Sequence, residues 1–282
     1  MRRQSLYAET LRKLRRNKGA LAGMVIIVML ILTAMLAPII APSDPNAINL
    51  GSRLLTPSRA HLFGTDQFGR DILSRIIYGS QISLAVGFSA VAVGLLLGVL
   101  IGSIAGYYGG IADHFLMRTM DTLYAFPAVL LALAIMGILG KGLMNLVLAA
   151  AIPSIPGFAR VTRSTVLVQR ETVYVEAARA YGASSRRIIW KYVLPNSIAP
   201  VIVMGALRIS TAILVASSLS FLGFGIQPPT PEWGAMISAG RGFIVRAPHL
   251  SIIPGLFIML VVLGFNLAGD GLRDALDPKL GA

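Results

Sequence analysis

Residues 19–40 run for 22 positions without one charged side chain. At 1.5 Å of rise per residue such a stretch forms about 33 Å of helix, enough to cross a hydrocarbon core about 30 Å thick. Inside lipid every backbone N–H and C=O must be satisfied within the protein, so a segment of this kind is restricted to helix. Further stretches of the same character cover 80–105, 123–139, 143–158, 197–221 (with Arg208 as its one charge) and 251–268. A soluble fold would have to bury all of them as core helices, yet only 13% of the residues are charged while 55% are apolar, far from the quarter of charged residues usual in soluble domains. The chain reads as an all-α polytopic membrane protein with six transmembrane helices.

Charge fixes the expected orientation. Arg2, Arg3, Arg12, Lys13, Arg15, Arg16 and Lys18, against Glu9 alone, precede the first span and place the N-terminus in the cytoplasm by the positive-inside rule. A cleaved signal peptide is the rival reading of this region, but the apolar run is long for one and residues 37–40 make a poor cleavage site. Six crossings return the C-terminus to the same side. Residues 160–191 then fall inside with seven cationic side chains against two carboxylates, whereas 41–78 falls outside with four against three. This asymmetry accounts for much of the net charge of +13, so no nucleic-acid partner is required; membrane lipids are the expected surroundings.

Within the bilayer, Gly87, Gly94, Gly98, Gly102 and Gly106 of the second span fall largely four residues apart and share a face that another backbone can approach closely, in this chain or in a partner. The third and fourth spans are short and are separated by Gly140, Lys141 and Gly142, which suits a tight external hairpin; a re-entrant pair is the alternative. Pro127, Pro153, Pro156, Pro195, Pro200 and Pro254 stand near span boundaries and read as helix ends or as kinks.

Much chemistry is missing. The chain has no cysteine, its histidines His61, His114 and His249 have no metal-ligand spacing, and Asp113, Asp121 and Asp270 lie outside the spans, which leaves no intramembrane protease pair. No phosphate-binding loop of the Gly-x-x-x-x-Gly-Lys-Ser/Thr type is present, so energy for uphill transport has to come from another subunit. Arg208 needs a partner, an aqueous cavity or a route to the interface, and reads equally as a structural anchor near the inner boundary or as a polar group beside a translocation path. In the inner loop, residues 175–181 suit a short helix, Gly182 a sharp exit, and 184–193 a basic helix ending as Pro195 approaches. That loop serves either as a lever for a partner's motion or as a basic helix lying on the inner leaflet.

Glu176-Ala177-Ala178, Gly182 and Leu194-Pro195 resemble the cytoplasmic loop of ABC importer permeases. Phe63-Gly64-Thr65-Asp66, Asp121-Thr122-Leu123-Tyr124-Ala125-Phe126-Pro127, Phe221-Leu222-Gly223-Phe224-Gly225 and the segment from Gly269 to Pro278 extend the resemblance to the DppC/OppC branch of dipeptide and oligopeptide importers. Two departures are Tyr192, where an isoleucine is frequent, and Gln81, where this branch often has arginine.

The resemblance implies a type I ABC importer permease fold, with residues 1–78 as an N-terminal extension carrying the first span and 79–282 as a five-helix core whose coupling loop is 160–196. It implies a non-catalytic subunit that binds no cofactor. ATP and Mg would reside on two cytoplasmic ATPase subunits; a homologous second permease subunit would complete the pore, and an extracytoplasmic substrate-binding protein would deliver the solute. Glu176, Ala177, Ala178 and Gly182 would form the coupling helix, with Glu176 fixing it by local hydrogen bonds or a salt bridge and Leu194-Pro195 anchoring the loop to the fifth span. The expected cargo is a dipeptide or oligopeptide, with nickel chelates and glutathione as alternatives in the same family. A passive channel and a membrane scaffold are the rivals outside it. The expected location is the bacterial or archaeal plasma membrane.

Overall fold

A computed structural model describes residues 14, 15 and 17–276. The basic residues Arg2, Arg3, Arg12, Lys13 and Arg16 and the carboxylates Glu9 and Asp277 lie outside the described residues. Every named element is helical: α1 (Lys18–Met35), α2 (Ala37–Ile40), α3 (Ile72–Tyr108), α4 (Gly110–Tyr124), α5 (Ala128–Leu139), α6 (Leu143–Ala151), α7 (Ile155–Arg170), α8 (Val173–Ala180), α9 (Ser185–Ile188), α10 (Leu194–Phe221), α11 (Trp233–Gly240) and α12 (His249–Leu276). Among the described residues, five uninterrupted helical stretches are long and apolar enough to cross a membrane, namely α1, α3, Leu143–Arg170, Ser185–Phe221 and α12; α4 and α5, bent by 95°, make a sixth if taken together as one broken span.

That bend corrects the expected third span. A helix over 123–139 is not formed, because Pro127 has no N–H to donate and holds the residue before it out of the helical region; α5 starts only at Ala128, and α4 leaves at nearly a right angle. The fourth span is also longer than expected. Pro153 and Pro156 do not end it, since both occupy first-turn positions in a 3-10 turn (Ile152–Ser154) and in α7, where the missing donor is an orphan anyway. Pro200 and Pro254, in contrast, lie inside α10 and α12.

The glycine face on α3 is an intrachain seam. Gly94 lies against Ser154 of the 3-10 turn, Gly98 against Phe158, Gly102 against the Ala159 carbonyl and Gly106 against Val166, so α3 closely approaches that turn and α7 over roughly three turns. Gly87 faces Ile213 of α10 in the same manner. A second seam joins α1 to α12, where Gly23 meets the backbone of Gly264 and Ala268, and Ala20 packs on Gly271. Asn17 caps α1 by accepting from the Ala20 N–H at 3.1 Å. Near the other end of α1, Pro38 cannot donate to the carbonyl of Ala34 four residues back, and the Gln81 side-chain amide of α3 supplies that donor at 2.8 Å.

The polar stretch after α1 contains little regular structure but is tied down by charge. The Asp66 carboxylate accepts from Arg70 Nε at 2.6 Å and from the backbone N–H groups of Phe68 and Arg70. Arg75 stands 3.7 Å away and donates through Nη1 to the carbonyls of Pro45 and Pro229, which joins this stretch to the loop before α11. Asp71 caps α3 at Ser74 and also bonds His61. The loop contains one helix not foreseen from sequence, α11, capped by buried Glu232, whose carboxylate accepts from the N–H groups of Gly234 and Ala235 at 2.9 and 2.8 Å.

Candidate functional site

The loop expected to couple to a partner is a folded bracket. Val166 of α7, Val175 of α8, Ile188 of α9 and Val193 form their own buried apolar cluster, separate from the main core. Arg170 holds the end of α7 to the end of α3 by donating to the Gly106 carbonyl at 2.9 Å. Thr172 starts α8, and Gly182 stops it in a Schellman turn: Gly182 N–H donates to Arg179 O and Ala183 N–H to Ala178 O. Gly182 sits at φ +75°, where a Cβ is strained, as the sequence pattern required.

What the bracket presents outward has little covering it among the described residues. Glu176, Ala177 and Gly182 are exposed, Ala178 is half-buried, and Tyr181 and Val173 are 93% and 81% exposed. Val173 opens α8 and Tyr181 stands just past its end. Among the described residues the Glu176 side chain meets neither a hydrogen-bond donor nor a cation; the carboxylate stands in the first turn of α8, where it complements the helix N-terminus. The local bond or salt bridge expected for it is therefore absent from this chain's described residues. Past the Gly182 turn, Ser184, Arg186, Arg187 and Trp190 line a shallow recess.

The basic helix after Gly182 does not end at Pro195. A π turn (Ile189–Val193) carries it directly into α10, with Pro195 in the first turn, so α9 runs into a membrane span as continuous helix while α8, set off by the Gly182 turn, is tied to it through the packing of Val175 with Ile188 and Val193. Leu194 packs on the main core while Val193 belongs to the loop cluster, and the Leu194-Pro195 pair thus sits where bracket and bundle join.

Arg208 lies apart from this surface, half-buried on α10. Its guanidinium lies over Gly157, where a Cβ would come within 3.0 Å of Nη2, and no ion pair or hydrogen bond to it occurs among the described residues. Gly157 precedes Arg160 by less than one turn, and the neighbouring Leu207 packs on Gly269 beside Asp270. Those charged residues mark the end of the apolar bands of α7 and α12.

Two family patterns match the chain. Residues 98–282 match the binding-protein-dependent transport system inner membrane component, and residues 5–57 match the N-terminal TM domain of oligopeptide transport permease C. The chain belongs to this family of ABC importer permeases. It is 50% identical over 276 residues to the dipeptide transport system permease protein DppC of Alkalihalophilus pseudofirmus, covering 98% of this chain and 91% of the relative. It is 47% identical over 275 residues to the glutathione transport system permease protein GsiD of Pectobacterium atrosepticum, covering 97% and 91%. A solved inward-facing structure of the MetNI methionine ABC transporter shares the fold at a TM-score of 0.58 and 18% identity, covering 73% of this chain and 98% of that one. The protein is thus a permease subunit of the DppC/OppC branch, in a family whose members are non-catalytic membrane components, and the polytopic helical bundle is its ABC importer permease fold.

Proposed function

We propose that this permease forms one membrane half of an ATP-driven importer of dipeptides or oligopeptides, with both termini in the cytoplasm. The observation that carries the reading is the bracket: a short helix, α8, with bare Val173 and with Tyr181 at its end, packed through Val175 on the helix that runs without a break from Ser185 into a membrane span. Two ATPase subunits dock on α8, a second permease subunit completes the pathway, and a binding protein delivers the peptide. ATP-driven closure of the ATPases moves α8, and the helix running through Ile189–Val193 transmits that displacement into α10; the two end states constitute alternating access. Arg208, one turn from the charged residues that bound the apolar bands, is better placed as an anchor at the inner boundary than as a central path residue. Glutathione, itself a peptide, is the cargo that the similarity to GsiD favours as a second reading.

The test is purification in mild detergent followed by reconstitution and uptake of labelled dialanine. Glu176→Arg and Gly182→Val are expected to leave the subunits associated while ATP hydrolysis no longer drives uptake. Nothing lies within 4 Å of a Cβ at Gly182, so the cost of that change is the left-handed conformation, about 1–2 kcal/mol, confined to the loop. Normal coupled uptake by both variants would sink the assignment of α8, and a chain that recovers no ATPase under several mild detergents would sink the importer reading.

A further inference from the structure

Helix α4 is not used by the coupling bracket, yet it carries the second most exposed apolar side chains near that end of the bundle. Ile111 is 89% and Phe115 69% exposed. His114 and Arg118 stand on the same face, since positions 111, 114, 115 and 118 are successive neighbours on a helix surface, and together they border a shallow groove.

Three observations define the surroundings of this face. First, α4 is attached to the membrane at both ends: it follows the Gly109-Gly110 turn that closes α3 beside the Tyr107–Tyr108 aromatic pair, and it leaves through the 95° bend into charge-free α5. A helix at right angles to a membrane-inserted one lies along the membrane plane. Second, the opposite face is already occupied, with Met120 buried against Ile155 and Ala159 of α7. Third, both carboxylates of α4 are neutralised by α7, Asp113 by Arg163 at 2.6 Å and Asp121 by Arg160 at 2.7 Å. What is left facing outward is apolar and cationic, the complement of acyl chains beneath anionic headgroups.

We propose that the outward face of α4, Ile111 and Phe115 flanked by His114 and Arg118, is a seat for anionic phospholipid in the leaflet at the coupling-loop end. Ile111 and Phe115 insert among the upper acyl carbons, and the Arg118 guanidinium donates to the phosphate. α4 thereby supports the membrane side of α7, the helix on which the coupling bracket is built.

The chain has no cysteine, so a single introduced thiol reports one position. In the assembled importer, with the partner subunits' own cysteines replaced, Phe115→Cys carries a bimane fluorophore in phosphatidylcholine vesicles containing a trace of doxyl-labelled lipid. The expected result is quenching by doxyl-phosphatidylglycerol in excess of doxyl-phosphatidylcholine by about fivefold, the enrichment one arginine confers near a membrane surface. Arg118→Gln is expected to bring the two to parity. Equal quenching by both lipids in the parent overturns the anionic preference. No quenching by either means that protein or water covers the face, and overturns the seat altogether. Ile111→Cys provides a second reporting position should the Phe115 variant fail to assemble.

Discussion

Replacing Gly102 by alanine tests whether the α3–α7 seam depends on backbone contact. An added Cβ would stand 2.4 Å from the Ala159 carbonyl oxygen, 2.7 Å from Thr162 Cβ and 3.0 Å from the Arg163 nitrogen. Two of these three atoms belong to backbone, which no side-chain rotation can clear, so α3 and α7 must part by on the order of 1 Å. A gap of that size forfeits a quarter to a half of each dispersion contact along the seam, and overpacking of this kind costs about 2–3 kcal/mol. Alanine's better helix propensity offsets about 1 kcal/mol of that, leaving a net loss of about 1–2 kcal/mol. Gly137 in α5 is the internal control, because nothing lies within 4 Å of a Cβ there; Gly137→Ala is expected to gain up to about 1 kcal/mol. Thermal unfolding of both variants in one detergent should therefore move the midpoint in opposite directions. A Gly102→Ala protein as stable as the parent would refute the reasoning, since the seam would then tolerate a separation that the distances forbid.

Two further perturbations probe the far side of the bundle. Asp66→Ala leaves Arg70 and Arg75 buried without their shared carboxylate, at a cost of about 3 kcal/mol, and limited proteolysis is expected to cut within residues 41–71 where the parent resists. Glu232 predicts a pH effect: burial raises its pKa above the usual glutamate range, against the opposing Gly234 and Ala235 N–H donors. Because the native state favours the protonated form, stability is fully present below the unfolded pKa of about 4.3 and is lost as pH rises through the raised native value. Glu232→Gln should flatten that part of the profile of melting temperature against pH; an unchanged slope would assign it to other groups.

The charge-free runs located five of the six expected spans, because lipid leaves the backbone no alternative to helix, but misjudged the third, which is broken before Ala128; the four-residue glycine spacing marked a seam without saying which helix would fill it. That partner, α7, became visible only when Ser154, Phe158, Ala159 and Val166 were brought opposite the glycines. Around Gly182 the reading was fuller, since a Schellman turn needs a left-handed residue and the sequence offers a glycine there. Proline was the weak signal. The same residue type breaks the chain at Pro127, opens helices at Pro153, Pro156 and Pro195, and lies within helices at Pro200 and Pro254, so its presence alone does not say which will occur. At Pro38 the outcome involves another helix: the Gln81 amide reaches the Ala34 carbonyl, a contact no local pattern encodes. Helix α11 and Glu232 were missed for a related reason. A lone glutamate in a loop carries no sequence signal of burial, although its position before Trp233-Gly234 fits an N-cap.

The seam between α1 and α12 also orders events during synthesis. Gly23 and Ala20 are made at the beginning of the chain, but the surface that they fit, Gly264, Ala268 and Gly271, is made almost at its end. At roughly 10 residues per second the ribosome takes about 25 s to cover that distance. For all of that time α1 waits in the bilayer with its small-residue face against lipid, so the last helix to arrive is the one that gives the first its place.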